Sequence, residues 1–311
     1  MPESRFLLFP GQGAQAVGMA RDVWEAGGHA VALFDEASEI LGYDLARTVF
    51  RGPPEELSRT DVCQPALLVS CLAILSALRE RQKVAVAGAA GLSLGEYTAL
   101  VALESLDFAD AVRLVRRRGE LMEEAARARP GGMASVLGLE AGPVEECCAQ
   151  ASAGGGQVVA ANYNCPGQVV ISGDAEALER ASALLRQAGA RRVVRLEVSG
   201  AFHSPLMQGA AEGLARALAE AGIREPAGVF VNNADAAPLK DPAEIRRGLE
   251  RQLTSPVRWE ASCRWLAGRG LGPFLEVGPG RTCQGLMRRT APEAGVTGVS
   301  TLADMEEPAW A

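Results

Sequence analysis

The chain lacks the features that would place it in several function classes. Its seven cysteines (63, 71, 147, 148, 165, 263 and 283) are odd in number and include no Cys-x-x-Cys pair. That argues against a full disulfide framework and against a thiolate zinc site. Reduced thiols and a cytoplasmic location are the simpler expectation. No apolar run reaches the ~20 residues of a membrane span. The longest, Ala66 to Leu78, is bounded by Pro65 and by Arg79-Glu80-Arg81, and reads as a buried helix. The apolar start of MPESRFLLF is cut off by GQGAQ, too early for a signal peptide. Positive charge is in the minority, with 31 Lys and Arg against 38 Asp and Glu and a net charge of -7. Nothing suggests a phosphate-tracking surface, so nucleic acid is not an expected partner.

What is present is a globular chain of 311 residues, 48% hydrophobic, enough for one large domain or two smaller ones. Arg5 to Phe9 reads as a buried strand before the turn Pro10-Gly11-Gln12-Gly13, and Val84 to Ala89 as another, closed by Gly91. Leu94 to Leu103 and Asp107 to Ala126 have helical spacing. After Pro130-Gly131-Gly132 the rhythm changes. Strand Met133 to Leu139, helix Pro143 to Ala151, strands Val158 to Asn162 and Gln168 to Ser172, helix Ala175 to Ala188 and strand Arg192 to Val198 give the order βαββαβ. That is a split-βαβ, ferredoxin-like unit inserted into a larger domain. The flanking chain resumes its alternation with Leu206 to Ala221, Gly228 to Asn232, Pro242 to Leu253, Ser255 to Ala267 and Phe274 to Val277. Beyond Leu302 a loosely held terminus is expected.

The candidate chemistry starts at GLSLG, where Ser93 stands two residues from a glycine on either side, between a strand and a helix. That is the spacing of a nucleophile elbow, in which helix N–H groups can face a developing oxyanion. A small residue in a tight turn would look the same. A serine hydroxyl also needs a base. Only two histidines exist: His29 in EAGGHAVALF has no polar constellation around it, whereas His203 follows the last strand of the inserted unit in VSGAFHSPLM. Arg116-Arg117-Arg118 point in three directions on a helix, so at most one can face a site; Arg118, followed by Gly119, is the one to suspect. FPGQGAQAVGM fits a dinucleotide fingerprint, but that needs a second strand where residues 29–41 look helical.

Taken in order, FPGQG, QPALL, GLSLGEYTAL, RRRGELM, NYNCPGQVVISG, GAFHSPLM, QLTSPVRW and EVGPG resemble the malonyl-CoA:acyl carrier protein transacylases of fatty acid synthesis. They also resemble the acyltransferase domains of polyketide synthases. The resemblance runs from about Phe6 to about Arg288. It implies an α/β-hydrolase-like core with a mostly parallel sheet (residues 1–129 and 199–311) and a ferredoxin-like subdomain at 130–198. It also implies a role for each matching position. Ser93 attacks the malonyl thioester, and His203 takes and returns the proton. The N–H groups of Gln12 and Leu94 form the oxyanion hole. Arg118 grips the malonyl carboxylate, and the main-chain carbonyl of Gln252 orients His203. Gln64, Asn162 and Asn164 line the site. No metal or redox cofactor is expected, coenzyme A entering only as the substrate's thioester. The implied partners are malonyl-CoA and a phosphopantetheinylated acyl carrier protein, with the enzyme a monomer. Phe202 in GAFHS matches the malonyl-selecting form, since a phenyl ring there would crowd an α-methyl branch.

One departure is Leu92, where most of the family has histidine. Rival readings are an acyl hydrolase of the same fold, a stand-alone polyketide acyltransferase, and a non-catalytic carrier-protein-binding homologue. The carrier is expected to be acidic, which makes Arg191-Arg192 or Arg288-Arg289 candidate docking charges.

Overall fold

Five consecutive buried residues, Arg5 to Phe9, leave the first strand no solvent face, which suits only the middle of a sheet covered on both sides. The computed structural model describes residues 4–306 and places this strand there. The large sheet contains β1 (Ser4–Phe9), β2 (Ala85–Gly91), β7 (Val229–Val231), β8 (Pro238–Leu239), β9 (Phe274–Val277) and β10 (Val296–Val299), in the order β10-β9-β1-β2-β7-β8. All neighbours run parallel except β8, a short antiparallel edge.

Helices cover this sheet. Thr60–Arg81, 22 residues long, is apolar enough to cross a membrane, yet nearly all of it is buried in the protein core. It extends through Pro65 rather than starting after it. Proline has no N–H for the carbonyl of Asp61, and Arg116 Nη1 takes that carbonyl instead at 3.3 Å. Phe108–Ala128 packs against this helix, and Gly119 is a point of close approach. A Cβ there would lie 2.7 Å from Asp61 Cα and 2.8 Å from the Thr60 carbonyl oxygen. Because those neighbours are backbone and cannot swing away, Gly119→Ala should lower stability by about 1–3 kcal/mol in denaturant unfolding. No loss would show that the two helices can separate freely.

The second sheet has four antiparallel strands: β3 (Gly131–Leu137), β4 (Val158–Cys165), β5 (Gln168–Asp174) and β6 (Arg192–Arg195), ordered β4-β5-β3-β6. Helices Ala141–Ala153 and Ala175–Gln187 pack on one face around a core of their own that includes Val136, Val144, Ile171, Leu178 and Leu185. This is the βαββαβ order expected from the glycine-punctuated segment.

Several boundaries differ from the sequence expectation. The last strand of the small unit ends at Arg195 rather than Val198: Leu196 still donates its N–H to Met133 O, but Val198 N–H turns back to Leu196 O, and both side chains line a cleft. Ser255 to Arg258 are not helical, and that helix starts at Trp259. Pro256 disfavours helical geometry at Ser255, and Val257 runs extended beside β4, donating to Ala161 O and accepting from Tyr163 N–H. After His203 a 3₁₀ turn, Pro205–Met207, precedes the helix Gln208–Glu220. The expected loose terminus is held further than anticipated: Leu302–Glu306 is helical, with Met305 2% exposed, and the remainder lies outside the described residues.

Candidate active site

β2 delivers the chain into the elbow at Gly91. Ser93 has φ 53°, a left-handed conformation that a non-glycine residue adopts only against a steric cost. The flanking glycines are there for space. A Cβ on Gly91 would stand 1.9 Å from the carbonyl carbon of Gly95, and one on Gly95 would stand 2.4 Å from the Phe9 carbonyl oxygen. The strained serine is tied down from outside its own loop: its N–H donates to Asn233 Oδ1 at 2.6 Å, while Asn233 Nδ2 donates to Gly91 O at 2.7 Å.

His203, itself at φ 56°, brings Nε2 to 2.8 Å from Ser93 Oγ. Its Nδ1 lies 2.9 Å from the main-chain carbonyl oxygen of Gln252. A carbonyl can only accept, so Nδ1 carries the ring proton and Nε2 is left as acceptor for the serine hydroxyl. Arg118 is 1% exposed, with Nη2 at 3.0 Å from Ser93 Oγ and 2.9 Å from Gln252 Oε1. Its guanidinium also stands over the Tyr97 ring, 5.8 Å from the centroid. Arg116 and Arg117 turn outward and spend their charge on Asp61, Glu120 and Glu124. Serine, imidazole and guanidinium thus share one cleft of about 150 Å³ between the two sheets, walled by Gln12, Asn162, Asn164 and Phe202 together with Leu92, Met122, Met133, Val170, Leu196 and Val198.

The chain matches a family model described as "Acyl transferase domain" over residues 6–306. It belongs to that family. Similar proteins include the malonyl CoA-acyl carrier protein transacylases of Bacillus subtilis, 44% identical over 91% of this chain and 89% of that protein, and of Escherichia coli K12, 44% identical over 91% of each. Among solved structures, an acyl carrier protein S-malonyltransferase from Vibrio cholerae superposes with a TM-score of 0.92 at 41% identity, covering 97% of this chain and 99% of that one. A type II polyketide synthase acyl-carrier protein in complex with its malonyl-transacylase gives 0.93 at 40% identity, with 97% and 98% covered.

The other expected site residues fall in different layers of this acyl transferase. Gln12 and Leu94 offer main-chain N–H groups for which no protein acceptor is found among the described residues. The neighbouring N–H groups of Gly95, Glu96 and Tyr97 turn back onto the elbow. Asn164 keeps a buried Oδ1 without a partner. Gln64 is buried behind the wall, donating to Met122 Sδ at 3.2 Å, and does not reach the cleft. His29 is exposed on the far helix His29–Leu41, and that helix removes the second strand a dinucleotide site would need. Among the docking candidates, Arg191 and Arg192 are exposed. Arg288 and Arg289 are hydrogen-bonded to Val296 O, and to Gln168 Oε1 and Pro166 O, respectively.

Two residues of the site were not singled out from the sequence, Asn233 and Glu96. Glu96 is 1% exposed; burial raises its carboxyl pKa, and the donors Asn233 and Gln252 and the charge of Arg118 oppose that rise. Both oxygens face N–H donors, which suits a carboxylate and leaves an acid proton without an acceptor. The only early signal was its place on the elbow helix, three residues after Ser93.

Burial, reinforced by the Arg118 charge, pulls His203 down to about 4, so the imidazole stays neutral and able to accept a proton well into mild acid. Acylation at pH 5.5 should therefore stay within about twofold of its value at pH 7.5, where an ordinary imidazole would lose about tenfold. Stopped-flow CoA release across this range checks it, and an acid limb near pH 6.5 would contradict it. The same depressed pKa makes the His203 contribution to stability complete above about pH 6.5, the ordinary value, and progressively lost as pH falls toward 4.

Proposed function

We propose that this protein transfers a malonyl group from malonyl-CoA to the phosphopantetheine thiol of an acyl carrier protein, through an ester on Ser93, for fatty acid biosynthesis. The observation that carries this reading is a buried guanidinium 3.0 Å from the nucleophile's oxygen, with no carboxylate at salt-bridge distance among the described residues. A cation held out of water beside the reacting atom fits an acyl group that brings its own carboxylate, and the planar guanidinium can meet both carboxylate oxygens. The curated relatives and the solved structures carry names for the same activity.

In the first half-reaction Ser93 Oγ attacks the thioester carbonyl carbon as its proton passes to His203 Nε2. The main-chain N–H groups of Gln12 and Leu94 would receive the oxyanion. Collapse breaks the C–S bond, and the CoA sulfur leaves with the proton from His203. The second half-reaction runs the same steps in reverse with the carrier thiol as nucleophile. Between them the ester must outlast water. Arg118 holds the acyl chain in place, and the walls of Met122, Met133, Val170 and Phe202 exclude solvent. Phe202 also narrows the space beside the α-carbon, a preference for malonyl over methylmalonyl of about 1–3 kcal/mol per methyl group. The cytoplasm is the compartment in which the seven buried, unbridged cysteines would stay reduced.

Intact-mass measurement tests the reading. Malonyl-CoA should add one malonyl group to the protein, and subsequent holo-carrier protein should remove it and gain the same mass. Release as free malonate instead would assign the site to an acyl hydrolase.

A further inference from the structure

Glu96 lies on the first turn of the elbow helix, Gly95–Ala102, out of contact with solvent and with the cleft. A carboxylate buried there is costly unless both oxygens are met. Oε1 accepts the main-chain N–H of Asn233, and Oε2 accepts Nε2 of Gln252.

Gln252 touches all three members of the site, and Glu96 is one of the two acceptors that fix which way its amide faces. Nε2 of Gln252 donates to Glu96 and, at 2.9 Å, to the carbonyl oxygen of Ser93. Oε1 therefore faces the other way, where it accepts from Arg118 Nη2 at 2.9 Å. The main-chain oxygen of the same residue accepts from His203 Nδ1. A glutamine amide has nearly the same shape after a half-turn, so sterics alone do not choose its orientation. Turned over, it would present an NH₂ to the guanidinium, two donors face to face. The carbonyl oxygen of Ser93 and the carboxylate of Glu96, both acceptors, together forbid that state. Its other oxygen holds Asn233, whose side chain binds the Ser93 N–H and the Gly91 carbonyl.

We propose that Glu96 is a positioning residue, locking the Gln252 amide so that Arg118 is aimed at the carboxylate of the acyl group beside Ser93. The inference rests on the malonyl-transfer reading and adds to it a residue that never touches substrate. Its chemistry predicts an asymmetric defect. In Glu96→Gln the new amide has one acceptor oxygen for two donors. If that oxygen keeps the Asn233 N–H, its NH₂ meets Gln252 Nε2 donor to donor, and the Gln252 amide is pushed off its place, taking its Oε1 out of line with Arg118. Acyl groups that need Arg118 suffer, and acyl groups that do not need it are spared.

The test uses the full-length chain with Glu96→Gln and Glu96→Asp, following single-turnover acylation by malonyl-CoA and by acetyl-CoA with intact mass, and thermal unfolding in parallel. Glu96→Gln should lose about 10- to 100-fold with malonyl-CoA, the range for a lost hydrogen bond to a charged group, and under about threefold with acetyl-CoA. Glu96→Asp, which keeps the acceptor, should recover part of the malonyl rate. Equal losses with both thioesters, as a purely structural role would give, or no loss, would overturn the proposal. Should Glu96→Gln fail to fold, Glu96→Asp decides: a lowered malonyl-to-acetyl ratio supports the assignment and an unchanged ratio overturns it. A wild-type protein that takes acetyl but never malonyl would overturn the transfer reading itself, and this inference with it.

Discussion

Ser93→Ala should leave a folded protein that gains no mass from malonyl-CoA and releases CoA at least about 10⁴-fold more slowly than wild type. The expectation comes from what the hydroxyl does and what surrounds it. Oγ sits 2.8 Å from His203 Nε2 and 3.0 Å from Arg118 Nη2, and among the described residues no other hydroxyl or thiol lines the cleft. Alanine at φ 53° bears the same backbone strain as serine, and the Asn233 bond to the main-chain N–H is untouched, so the elbow should hold. All seven cysteines are buried, and those with the largest shifts have thiols pushed well above the ordinary range by burial, which removes them as substitute acyl carriers. A malonyl adduct that persists in Ser93→Ala would refute the ester mechanism.

The second large effect is one of selectivity. Arg118→Ala should lower acylation by malonyl-CoA about 10²- to 10³-fold, the cost of removing the partner of a desolvated charge. Acetyl-CoA brings no such charge, so its rate should fall less than about tenfold, and the malonyl-to-acetyl ratio should collapse. The base survives the change. The Arg118 charge is one of the influences that depress His203, and burial, the larger one, remains. His203 therefore stays neutral at pH 7 in the variant, and a parallel loss of both thioesters could not be laid to the base. Competition between the two thioesters in one reaction, read by intact mass, measures the ratio directly. An unchanged ratio would remove Arg118 from the acyl pocket.

These expectations draw on the sequence and on the fold to different degrees. The strand ending in GLSLG, the glycines around Ser93 and the scarcity of histidine were legible because each is local. A glycine whose Cβ would stand 2.4 Å from a neighbouring carbonyl oxygen leaves its mark at its own position, and elimination needs only a count. Gly119 was legible in the same way, since it marked the helix face on which Arg118 turns inward. The inserted βαββαβ unit was legible from its turns and its alternating pattern. Less could be read where the chain departs from its local preference for a partner far away. Pro65 looked like a helix boundary, yet a side chain from another helix, Arg116, satisfies the carbonyl it orphans. Ser255 to Arg258 were read as helix, yet they run non-helically and Val257 among them pairs with β4. Gln64 belongs to a matching motif but is held behind Met122.

What the sequence by itself determined is most of the strands and helices, which follow from periodicity and turn chemistry, and the candidates for nucleophile, base and cation, which the ordered family motifs raised above their neighbours. Only the tertiary structure decided how those groups are aimed. Asn233 reaches the Ser93 N–H across 140 residues, and Gln252 reaches Arg118 across 134. An asparagine after a short strand and a glutamine at the end of a helix carry no local mark of such a task. Their meaning arises when β7 pairs beside β2 and the small sheet closes over the elbow. Glu96 is the clearest case: in sequence it is one more charged residue on a helix, and in the fold it is a buried acceptor whose two oxygens orient the groups that hold the serine, the imidazole and the guanidinium in place.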